Sequence, residues 1–243
     1  MSETAGSREQ VEDLLGQLAG PDLSPRERGR LLVRLTGLLV TAARSAGGRA
    51  AFGGSWLVDT VAAYAPHVPV RDLLTLREHH SGLSGDALAE ALVASACRVS
   101  AGIGAAGGAL ATAETAAPPT LLLAPVQLAA ETVAVVAVEL KLVAELHVVY
   151  GRAPLGTRGQ VATAYLMSWA GRRAVDAVDG ASMAAALGAA ARLQLRKRVL
   201  RRLGRNVSTL APFLAGAVAG AELNRRDTRA LGDLLVKDLR RRR

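Results

Sequence analysis

The sequence predicts an all-α fold, a multi-helix bundle with a long buried central helix and Gly/Ala-rich packed helices. Three observations point there. No stretch alternates apolar and polar residues for long, so the half-buried strand signature is missing. Apolar residues instead recur at helical spacing along most of the chain. Half of the residues are hydrophobic but only 3% are aromatic. A core of small aliphatic side chains suits close helix–helix packing better than a β-sandwich.

The helices are expected in order as follows. Arg8 to Leu18 carries a short amphipathic pattern in Val11, Leu14, Leu15 and Leu18. Ser24-Pro25 places a capping hydroxyl before a proline at the first helical position. The helix it opens runs to about Ser45 with Leu31, Leu32, Leu35, Leu38 and Leu39 on one face, and Gly47-Gly48 ends it. Trp56–Tyr64 forms a third helix closed by Pro66 and Pro69, and Asp72–His80 a short fourth one stopped by Ser81–Gly85. Helical pattern resumes at Asp86 and continues into the Gly-rich run Ala101–Ala109, until Pro118-Pro119 breaks it. A long apolar helix follows from about Pro125 to Tyr150, then a loop over Gly151–Gly159. Gln160–Val178, Ala181–Leu203, Leu210–Leu223 and Thr228–Leu239 complete the list. Residues 1–50 read as an N-terminal helical appendage bracketed by Gly47-Gly48 and Gly53-Gly54, and residues 51–243 as the main helical domain.

The formal net charge is +9, and it is concentrated. Arg192–Arg243 holds fifteen basic residues against four acidic ones, a balance of +11, while the first 191 residues sum to −2. Such asymmetry points to a polyanionic partner, either nucleic acid or an anionic membrane surface. Cys97 is the single cysteine, which excludes an intrachain disulfide or a cysteine metal cluster and fits a reducing compartment. The polar, acidic N-terminus has no signal-peptide apolar region, so a cytoplasmic protein is expected.

Three constellations stand out. The first is a set of polar residues on the long helix: Gln127, Glu131 and Glu145 fall within about 40° of one another at 100° per residue, flanked by Glu139 and Lys141. The helix is otherwise apolar almost all round, which marks it as buried. Its carboxylates therefore call for partners on neighbouring helices, as internal salt bridges or as a buried polar site. The same charges make it a poor membrane span.

The second constellation is the pair Gly104-x-x-x-Gly108 and Gly216-x-x-x-Gly220, which reads either as tight packing of two core helices, against each other or against other neighbours, or as segments able to insert shallowly into lipid. Their apolar runs, thirteen and fifteen residues long, fall short of the roughly 20 that cross a bilayer. The third is the basic helix Arg192–Arg205, in which Arg196, Lys197, Arg198, Arg201, Arg202 and Arg205 flank Leu193 and Leu200. An Arg-rich face beside an apolar one suits an anionic membrane surface. Arg240–Arg243 adds a basic tail, and no aromatic stacking residue lies among these arginines, which counts against nucleic acid.

Catalytic patterns are missing. There is no Gly-x-Ser-x-Gly, no Gly-x-x-x-x-Gly-Lys-[Ser/Thr] and no His-Glu-x-x-His. Gly102-Ile-Gly-Ala-Ala-Gly107 matches a dinucleotide fingerprint by letter but follows a helix rather than a strand. His79-His80 sits at a turn. No catalytic residue, metal ligand or cofactor is assigned.

Two stretches together resemble the EcsC family of bacterial proteins. One is Ala101-Gly-Ile-Gly-Ala-Ala-Gly-Gly-Ala-Leu-Ala-Thr-Ala113, a break at Pro118-Pro119 and a long apolar helix closing in Glu145-Leu-His-Val-Val-Tyr-Gly151. The other is Leu210-Ala-Pro-Phe-Leu-Ala-Gly-Ala-Val-Ala-Gly-Ala-Glu-Leu-Asn224. The likeness covers roughly residues 70–240, with Ala117-Pro118-Pro119 standing where that family typically has Asp-Ile-Pro. It implies a helical, membrane-associated protein and no catalytic residues. The expected function is that of a peripheral interaction protein on the cytoplasmic face, holding anionic lipid through its basic C-terminal region. The rival readings are a soluble all-α module for nucleic acid or a protein partner, and an all-α enzyme or cofactor carrier built on the Glu131/Glu139/Glu145 helix.

Overall fold

Ser24 caps the helix that starts at Pro25, as its sequence requires. Its hydroxyl accepts from the Glu27 amide at 3.3 Å, while its own amide donates to the Glu27 carboxylate at 2.8 Å, a reciprocal capping box. The computed structural model describes residues 2–45, 55–115, 124–173 and 213–241. Among them are eight α-helices covering 85% of the residues, and no strand. They are α1 (Ser2–Leu18), α2 (Pro25–Ser45), α3 (Ser55–Tyr64), α4 (Leu73–His79), α5 (Gly85–Thr115), α6 (Ala124–Val149), α7 (Arg158–Arg173) and α8 (Phe213–Arg241). The expected basic helix, with Arg196, Lys197, Arg198, Arg201, Arg202 and Arg205, lies outside the described residues, as do Gly47-Gly48 and Pro118-Pro119.

Local chemistry sets the boundaries. Asp72 caps α4 by accepting from the Thr75 amide at 2.8 Å. The turn after α4 runs through Ser81 and Gly82 at positive φ, and the Gly82 amide returns to the Arg77 carbonyl at 2.8 Å. α6 ends in a Schellman motif: Gly151 takes φ 64°, its amide reaches Val148 O at 3.1 Å, and the Arg152 amide reaches His147 O at 2.7 Å.

The central element is α6, buried without interruption from Gln127 to Leu140. Around it pack α5, α8, α2, α7, α3 and α1, and the interface of α5 with α8 is the most extensive among the described residues. α5 runs antiparallel to α8, as the pairs Asp86–Arg240, Glu90–Arg229 and Gly104–Gly220 show. Leu14, Leu15 and Leu18 of α1 and Leu31, Leu32, Leu35 and Leu39 of α2 belong to the same core as Val133, Leu140 and Leu146 of α6. The predicted apolar face of α2 is thus the buried one, with Leu38 half-buried at its edge.

One boundary differs from expectation. The segments Leu210–Leu223 and Thr228–Leu239 are not two helices: α8 is continuous from Phe213 to Arg241. The polar run Asn224–Asp227 lacks proline or glycine, and its residues are satisfied without leaving the helix. Asn224 and Thr228 turn inward and are buried, while Glu222 pairs with Arg225 and Arg226 on the outer face.

α5 corrects a second expectation. Counted over Ala101–Ala113 its apolar run is too short for a bilayer, but the helix starts at Gly85. Gly85–Leu110 is long and apolar enough to cross a membrane, the one such helix among the described residues. More than half of that window is buried inside the protein, as in the core helix of a bundle.

Candidate functional site

The α5–α8 seam is built on small residues. A Cβ on Gly104 would overlap the Gly220 carbonyl, and a Cβ on Gly220 would overlap the Gly104 carbonyl. Only glycine at both positions lets the backbones approach so closely. The row continues along α8 at intervals of four: Gly220, Asn224, Thr228 and Gly232, the last against Val93 of α5. The two Gly-rich helices meet at Gly104 and Gly220. Gly108 is half-buried, and the surroundings of Gly216 lie outside the described residues. Gly107 is a close approach that the four-residue spacing did not mark: a Cβ there would stand 2.5 Å from the Glu131 carboxylate.

The polar residues of α6 do not form one site. Gln127 and Glu131 face the seam: the Gln127 amide donates to Gly107 O at 3.0 Å, and Glu131 accepts from Asn224 Nδ2 at 3.1 Å. The same amide group of Asn224 donates to Ser100 O at 3.2 Å, tying all three long helices together. Glu139, fully buried, faces α7 and the middle of α8. It accepts from Trp169 Nε1 at 2.8 Å and from the Thr228 hydroxyl at 3.3 Å, and Thr228 also reaches Ser100 Oγ at 2.9 Å. Both of these inner carboxylates thus meet donors, as burial requires.

Glu145 belongs to a third place, near the opposite end of α6. Arg71 grips it with two bonds, Nε to Oε1 at 2.8 Å and Nη2 to Oε2 at 3.0 Å. Lys141 adds a bond of 2.7 Å to Oε1 and a second of 2.7 Å to Pro69 O, fixing the segment before α4 onto α6. The bond to Glu145 raises the Arg71 guanidinium above its ordinary value. Spacing could not announce Arg71, which is 74 residues from its partner. His79, exposed at the turn, lies 3.4 Å from Arg71 through Nδ1. Among the described residues no cluster of three or more His, Cys, Asp or Glu side chains could hold a metal ion.

Clefts open at the surface of the described residues, and two of them bear on function. One, of about 280 Å³, lies at the C-terminal end of α6 beside His147, Arg152, Tyr165 and Asp238. His147 stacks edge-on against Tyr165 with centroids 5.6 Å apart, and burial pushes the Tyr165 phenol up. The other, of about 190 Å³, lies between the α1–α2 connection and α5, with Arg28, Ser95 and Arg98 in its wall. Burial pulls the Arg28 guanidinium down from its ordinary value. Neither cleft contains Glu131, Glu139 or Glu145. Sequence spacing marked neither, because each joins residues from separate helices.

No protein-family model, no curated protein and no solved structure matches the chain.

Proposed function

We propose that the protein is a peripheral membrane-associated interaction protein that holds anionic lipid surfaces through its basic C-terminal region, on the cytoplasmic face, in the manner of the EcsC family it resembles. The observation that carries this reading is the charge partition, +11 over Arg192–Arg243 against −2 over the rest. Part of that charge is neutralised within the fold: Arg225 and Arg226 pair with Glu222, Arg229 with Glu90 and Asp233, and Arg240 with Asp86. The rest of the surplus falls in sequence on the stretch from Arg192 to Arg205, which holds seven basic residues and no acidic one, and on the terminal arginines. The carboxylates of α6 are held separately and line neither cleft, which leaves the enzyme or cofactor-carrier reading without an observation in its favour.

The test is flotation with phosphatidylserine vesicles. A basic residue near an anionic surface contributes roughly 1 kcal/mol, screened by salt. Replacing Arg198, Arg201, Arg202 and Arg205 by Gln should weaken binding at least tenfold, change binding to neutral vesicles little, and be mimicked by salt. A wild-type protein that ignores anionic vesicles at low salt sinks the reading, and a preference for generic duplex DNA replaces it with the nucleic-acid alternative.

A further inference from the structure

Arg28 sits one turn into α2 with 4% of its surface exposed. Its guanidinium donates from Nη1 to Leu18 O at 2.9 Å, and from Nη2 to Gly20 O at 3.4 Å and Leu23 O at 3.5 Å. All three acceptors are neutral carbonyls. Among the described residues Arg28 makes no ion pair, although buried charges ordinarily have a counter-charge. Carbonyls at the end of α1 offset part of the charge through the helix dipole, but they supply no net negative charge.

Nε takes no part in those three bonds. It lies against Gly102 of α5, where a Cβ would stand 2.9 Å away. Arg28 and Gly102 both line the smaller cleft, and so do Ser95 and Arg98. Arg98 is exposed and, among the described residues, has neither hydrogen bond nor ion pair to hold it. No carboxylate of the described residues lines the cleft. Two arginines and a serine line one opening with no acid among its described walls, a composition that attracts oxyanions. Arginine is the residue best fitted to them, because its planar fork donates two parallel bonds. At about 190 Å³ the opening is below the roughly 300 Å³ at which ordinary small-molecule sites begin, so it suits one phosphate-sized group.

We propose that this cleft binds a phosphate monoester or inorganic phosphate, with Arg28 as its buried floor and Arg98 as its exposed arm. Free phosphate and a phosphomonoester lipid headgroup share this chemistry, and the experiment separates them. The full chain is titrated with inorganic phosphate at ionic strength held constant with sodium chloride, followed by phosphorus NMR line width. In parallel it is floated with phosphatidylcholine vesicles with and without phosphatidic acid.

Arg28 also holds the end of α1, so the variant of choice is Arg98→Gln, which removes no bond among the described residues. Arg77→Gln, another exposed arginine away from the cleft, is the charge control. The proposal expects Arg98→Gln to raise the Kd at least tenfold and Arg77→Gln to leave it unchanged. That pattern with inorganic phosphate assigns free phosphate, and the pattern with phosphatidic acid vesicles alone assigns the headgroup. If neither probe binds, or the two variants weaken binding equally, the proposal is overturned. The four-arginine variant of the basic segment changes none of the described residues that line this cleft, so the two tests are scored separately.

Discussion

Adding one methyl group at Gly104 should cost stability, whereas the same change at an open helical position should add it. In an open helical position Gly→Ala stabilises by roughly 0.5–1 kcal/mol, because alanine loses less backbone entropy on folding. Gly37 in α2 is such a position, with nothing within 4 Å of its built Cβ. At Gly104 the new carbon would run into the carbonyl carbon and oxygen of Gly220, and would come within 2.6 Å of Asn224 Nδ2. Main chain cannot rotate away as a side chain can, so α5 and α8 must separate. Overpacking ordinarily costs about 1–3 kcal/mol, and the displaced Asn224 puts this site toward the upper end. Urea unfolding followed by circular dichroism should place Gly104→Ala about 2–4 kcal/mol below Gly37→Ala once the two effects are combined. Gly104→Ala with Gly220→Ala should cost less than the two single losses together, since helices already parted by one methyl accommodate the second more readily. Equal midpoints for Gly104→Ala and Gly37→Ala would refute the close-approach argument for this seam.

Two further outcomes test the polar contacts. Arg71→Met should destabilise by about 2–4 kcal/mol, near the low end for a broken buried pair because Lys141 still reaches Glu145 and Arg71 is a quarter exposed; an unchanged midpoint in the same unfolding assay would show that the pair is idle. Glu222 is held down to about 2 from 4.5 by bonds from Arg225 and Arg226. Its contribution to stability is thus present above pH 4.5 and lost as pH falls toward 2. Carbon-13 titration of the Glu222 carboxyl should show a midpoint near 2, and a midpoint at 4.5 would mean that the pairs do not persist in solution.

Several helix boundaries were legible because their signals are local. Ser24-Pro25, Asp72 and Gly151 each act on backbone groups a few residues away, so the chain announces those boundaries itself. The leucine face of α2 was legible for the same reason, since one face meets the core and the other meets water. α6 defeated that logic. Being buried all round, it has neighbours on every side, and an angular stripe does not say which neighbour each residue meets. Glu131 and Glu145 share a face but are fourteen residues apart, about 21 Å along the axis, and so reach different helices. Glu139 meets Trp169 and Thr228, contacts no spacing rule could supply. The polarity of Asn224–Asp227 misled in the opposite direction, because a buried Asn that finds its acceptors inside the fold looks in sequence like the end of a helix.

The row Gly220, Asn224, Thr228, Gly232 is periodic, and a periodic row of small side chains specifies contact but not alignment. Sliding α8 along α5 by one step of four residues, about 6 Å, would set small against small again. Polarity does not repeat in that way. Such a slip would carry Asn224 away from Glu131 and Thr228 away from Glu139, and would part Arg229 from Glu90 and Arg240 from Asp86. The buried polar bonds act here as the single buried Asn does in a coiled coil, where apolar packing supplies adhesion and one polar contact selects a register. Glycine lets these two helices touch; asparagine and threonine decide where.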